Sequence, residues 1–67
     1  MNTVRTIRTA ALTAARLRFL DRLSNMDEVS RRHLLYIETE DELRELRVLA
    51  TGQLSTLLDT MLEELNE

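Results

Sequence analysis

Cysteine is absent from the chain, so no disulfide and no thiolate metal site can hold it together. Proline is absent too, and glycine occurs once, at position 52. A glycine-rich phosphate loop is therefore excluded, and nothing obvious interrupts a helix. One histidine cannot build a zinc site alone. The longest apolar run, Leu34-Leu35-Tyr36-Ile37, falls far short of the ~20 residues that a membrane span needs. Ala10-Ala11-Leu12, behind Arg5 and Arg8, is too short for a signal peptide. The chain reads as soluble, unexported and cytoplasmic.

Lysine is missing as well: all nine basic residues are arginine. Charge is segregated along the chain. Residues 1–24 carry five arginines against one aspartate, a balance of +4, whereas residues 38–67 carry nine acids against two arginines, a balance of −7. With 67 residues the chain is one domain, 1–67, of a size whose single core rarely gives more than ~3–5 kcal/mol. With no disulfide and no metal, association is the supplement left.

The spacing of apolar residues predicts an all-α fold. Residues 3–24 lack Gly and Pro and are rich in Ala, Leu and Arg, all good helix formers. Val4, Ile7, Ala11 and Ala14 share one side of this helix; Leu12, Ala15, Phe19 and Leu23 share another, and Leu17 and Leu20 point elsewhere. Ser24-Asn25 ends it, with Asn25 expected as the next N-cap and Glu28 as its capping-box partner. Beyond it, every seventh residue from Val29 is apolar: Val29, Tyr36, Leu43, Ala50, Leu57. That row predicts one continuous amphipathic helix over 26–65. A rival capping box at Thr39 and Glu42 would break it, but the row passes through 36 and 43 without slipping phase. Gly52 falls on the polar side and need not end the helix.

An antiparallel hairpin of these two helices has unequal arms. The first spans about 33 Å and the second about 60 Å. The hairpin therefore leaves Leu54, Leu57, Leu58, Met61 and Leu65 uncovered, and a symmetric homodimer closing a four-helix bundle would bury them.

Chemistry is sparse. His33 has no second ligand and no nucleophile beside it, and reads as a packed or rim histidine. The acidic run Glu38-Thr39-Glu40-Asp41-Glu42 lacks the glycine turn and ligand spacing of a calcium loop. Small helical enzymes such as chorismate mutases gather cations inside a helical dimer; the long helix here carries none on its inner face. The reading is non-enzymatic, with no cofactor and no metal. Direct nucleic-acid binding by the basic first helix is a possible role, opposed by the net charge of −3 and by the absence of helix-turn-helix spacing. A coiled-coil scaffold or secretion-type chaperone is another.

In length, composition and helical-hairpin character the chain resembles small phage-encoded inhibitory proteins, of the kind that block a quorum-sensing transcription factor. The resemblance implies a non-enzymatic binder that sequesters a larger protein, a DNA-binding transcription regulator. The acidic segment suits a surface that normally holds DNA. From the residues themselves, Arg16, Leu17, Leu20, Arg31, Arg32 and Tyr36 are the candidate anchors, because apolar and Arg side chains dominate binding hot spots.

Overall fold

A computed structural model describes residues 3–66, with side chains from Thr6 to Asn66. Readings that rest on the side chains of Val4, Arg5 and Glu67 lie outside the described residues. All the described elements are helical: α1 (Thr3–Ser24), α2 (Glu28–Tyr36), α3 (Glu40–Leu49) and α4 (Gly52–Leu65). Among the described residues no helix is long and apolar enough to cross a membrane.

The first helix runs as its composition predicts. The expected long helix does not form: it is cut twice, into α2, α3 and α4. The first cut falls at the rival capping box. Thr39 adopts an extended backbone, and its hydroxyl accepts the Glu42 N–H at 3.1 Å, satisfying one of the donors that a helix start leaves open. Glu40, Asp41 and Glu42 then occupy the first turn of α3, where the helix dipole favours negative charge. Asp27 rather than Asn25 caps α2, accepting the Ser30 N–H at 3.1 Å. The Asn25 side chain instead reaches back to the Asp21 carbonyl of α1.

The second cut comes at Ala50 and Thr51, both in extended backbone, and Gly52, the first residue of α4, has φ +60. In that left-handed region an L side chain is strained, so the sole glycine of the chain opens a corner between α3 and α4. A Cβ added there meets nothing within 4 Å. Gly52→Ala is therefore expected to destabilise through the backbone alone, by about 1 kcal/mol. Urea denaturation checks this; an unchanged midpoint would mean that the corner tolerates any residue.

Because of this corner, α4 folds back along α3, and the C-terminal half of α1 crosses both. Each helix gives one fully buried leucine to the centre: Leu23, Leu35, Leu46 and Leu58. Leu20, Leu43, Ala50, Leu54 and Met61 complete the core. The five residues assigned to a dimer seam are thereby relocated. Leu54, Leu58 and Met61 are buried within the chain itself, Leu57 packs at the core edge, and only Leu65 stays exposed. The hairpin argument left them bare because it placed them beyond the reach of α1; the fold-back brings them to it. The seven-residue row is split in the same way: Leu43 and Ala50 are buried, but Val29 and Tyr36, on the separate α2, face outward.

Candidate protein-binding surface

The anchors expected from the sequence separate into structural and exposed groups. Arg16 is structural. Its Nε donates to Glu42 Oε2 at 2.7 Å and its Nη2 to Glu42 Oε1 at 3.0 Å, a two-pronged pair that ties α1 to the start of α3. Leu20 is core. Arg31 is also structural. Its Nε donates to the Leu23 carbonyl at 2.8 Å, and its Nη2 to the Met26 carbonyl at 2.9 Å and to the Ser24 carbonyl at 3.4 Å. One planar guanidinium thus bridges the Leu23 and Ser24 carbonyls at the end of α1 and the Met26 carbonyl of the turn, and fixes the turn into α2. Arg32 makes only a long contact of 4.0 Å with Glu28. Leu17 and Tyr36 are exposed, as a docking role requires.

Tyr36 stands within a wider apolar patch. Val29, His33, Tyr36 and Ile37 fall on one side of α2 at helical spacing and are all exposed, Val29 to 77% and Ile37 to 71%. The opposite side of α2 holds Leu35 in the core. The signal lay in the sequence: α2 alone has two apolar sides, and a nine-residue helix at the edge of a small core can bury only one. The apolar side leads directly into Glu38, Glu40 and Asp41. Of these, Glu40 is paired with Arg44 at 3.2 Å.

Two shallow depressions adjoin each other beside α4. One, of about 450 Å³, is lined by Leu17, Leu20, Arg31, Ala50 and Leu54; the other, of about 470 Å³, by Glu28, Arg32, Thr56, Leu57 and Thr60. Arg31 and Gln53 border both. Arg31 is committed to the backbone carbonyls of Leu23, Ser24 and Met26. Among the described residues no group of three or more His, Asp or Glu side chains could hold a metal ion.

Ion pairing sets the acid response of the fold. The Arg16 hydrogen bonds hold the Glu42 carboxyl below its ordinary range, and Arg47, whose Nε lies 2.6 Å from Asp59 Oδ1, does the same for Asp59. Hydrogen bonds from Ser30 lower Asp27 likewise. A carboxyl whose pKa is lower folded than unfolded stabilises the fold at pH above its unfolded value, and that stabilisation is lost as pH falls through the folded one. The melting temperature is thus expected to be flat from about pH 7 to about pH 5 and to fall below about pH 4. Glu42→Gln should lower it at neutral pH and flatten the acid decline. A wild-type melting temperature that rises on acidification would contradict these pairings.

The sequence matches no protein-family model, and comparison with curated proteins and with solved structures finds no match either.

Proposed function

We propose that this chain is a non-enzymatic protein-binding module, an inhibitor that sequesters a DNA-binding transcription regulator. The observation that carries the reading is the bare apolar side of α2, Val29, His33, Tyr36 and Ile37, running into the acidic start of α3. An apolar patch continued by carboxylates complements a surface that is basic and carries an apolar hollow, and DNA-binding surfaces are basic. Tyr36 supplies the aromatic anchor favoured at hot spots, and Ile37 widens the apolar area around it. Glu38 and Asp41, which lie in no salt bridge among the described residues, would steer the encounter and occupy the place of phosphates.

Capture from a cell lysate with tagged chain, read by mass spectrometry, tests this. The expected result is a DNA-binding regulator that the wild type retains, and that it displaces from its DNA in a gel shift. Tyr36→Asp with Ile37→Asp should weaken both effects about tenfold or more, because each places a charge in a desolvated contact. Both side chains are exposed, so the variant should keep wild-type helicity. Equal capture by wild type and variant, or capture of proteins that bind no DNA, would overturn the reading.

A further inference from the structure

The outer side of α1 carries a second surface of opposite character. At helical spacing Arg8, Leu12, Ala15, Phe19 and Arg22 form one stripe, an apolar centre with an arginine at each end. Arg18 flanks it; Arg8, Arg18 and Arg22 together occupy about 80° of the helix circumference. Among the described residues none of these three arginines lies in a salt bridge. The centre of the stripe opens into a groove of about 240 Å³, floored by Leu12, Ala15 and Phe19 and walled on the far side by Glu38 and Glu42. Glu42 is neutralised by Arg16, which leaves Glu38 as the charge on that lip.

We infer that this groove docks an amphipathic helix of a partner protein, with its apolar ridge on Leu12, Ala15 and Phe19 and its acidic flank toward Arg8, Arg18 and Arg22. Charge and shape select this occupant together. Leu12 and Phe19 offer a phosphate backbone nothing, and Glu38 repels a polyanion charged on every side. A helix with acids on one flank only meets the arginines, which lie beside the groove on the side away from Arg16, and avoids Glu38 on the other. Ala15 at the centre lets the two helix axes approach closely. Arg8 to Arg22 spans about 21 Å, or about four turns of such a helix. Glu38 borders both this groove and the α2 patch, but Leu12, Ala15, Phe19 and the three arginines belong to this surface alone, so it stands or falls apart from the proposed function.

The test is fluorescence anisotropy with a labelled helical peptide of about 20 residues, built from a Leu and Ala ridge with Glu along one flank. Saturable binding is expected. The reversal Arg8→Glu, Arg18→Glu and Arg22→Glu should weaken it about tenfold or more, as should raising salt from about 0.05 M to about 0.5 M. Leu12→Asn should weaken it without altering the salt dependence. Amide shifts on titration should cluster at Leu12, Ala15 and Phe19 rather than at Tyr36 and Ile37. All the altered side chains are solvent-facing; if the reversal disturbs helicity, the milder Arg8→Gln, Arg18→Gln and Arg22→Gln set serves in its place. The inference is overturned by absence of saturable binding at about 0.1 mM, by an affinity indifferent to the arginines, or by a DNA duplex of equal length binding more tightly than the peptide.

Discussion

Leu58→Ala is expected to leave the domain largely unfolded at room temperature. Leu58 is fully buried where the four helices converge, against Leu23, Leu35 and Leu46. Truncating a buried leucine costs about 2–5 kcal/mol, from lost transfer energy and from the cavity left behind. A core of this size rarely offers more than ~3–5 kcal/mol in total, so one truncation consumes most of it. Leu65→Ala, at the exposed end of the same helix, should shift stability by no more than about 0.5 kcal/mol. Far-UV circular dichroism with urea denaturation reads both. The contrast also decides between architectures. In a continuous hairpin both leucines lie beyond the first helix and should behave alike, whereas the fold-back of α4 makes them opposites. Equal effects at the two positions would refute the four-helix arrangement.

Arg31→Ala should be the most damaging change at any charged residue, at about 2 kcal/mol. Hydrogen bonds from charged groups contribute more than neutral ones, and this guanidinium serves the carbonyls of Leu23, Ser24 and Met26 at once. Removing it leaves the Leu23 carbonyl with the Met26 N–H alone and frees the junction with α2. Arg31→Lys keeps the charge but not the planar fork, and should recover less than half of the loss. Hydrogen exchange at the end of α1 should quicken in both variants, while Arg32→Ala, whose side chain makes only the long contact to Glu28, should leave it unchanged. Wild-type exchange in Arg31→Ala would show that the turn is held by the apolar contacts of Leu23 and Leu35 alone.

Helix class and the limits of α1 were legible in the sequence because local propensity and apolar spacing agreed there. Leu43, Leu46, Leu54, Leu58 and Met61 were legible as apolar-face residues, although not where that face would go. The breaks were harder. Thr39 and Glu42 were visible as a capping box, yet the seven-residue row ran across them in phase, since that row holds as well for three helices meeting one core as for one long helix. At Gly52 the sequence showed a glycine on a polar face; only the backbone shows that the position needs a positive φ. Of the anchors, Leu17 and Tyr36 are exposed. Arg16 and Arg31 bond within the fold, and those partners depend on tertiary geometry: Glu42 lies 26 residues from Arg16, and the Leu23 carbonyl becomes an acceptor for Arg31 only once α2 turns back. Tyr36 is legible as an anchor, but its exposed neighbour Val29 is not, because one long helix would turn the row through Val29 toward α1.

The corner at Gly52 also bears on how quickly the chain reaches this state. It sets α3 and α4 side by side across a two-residue connection, so their joint surface closes with almost no loop to order. Helical domains dominated by such neighbouring contacts fold on microsecond to millisecond scales. The α3–α4 pair is then the nucleus, and α1, whose Arg16 must find Glu42 from far along the chain, docks after the barrier. In stopped-flow kinetics, substitutions at the corner should slow folding, whereas substitutions at Arg16 should chiefly hasten unfolding.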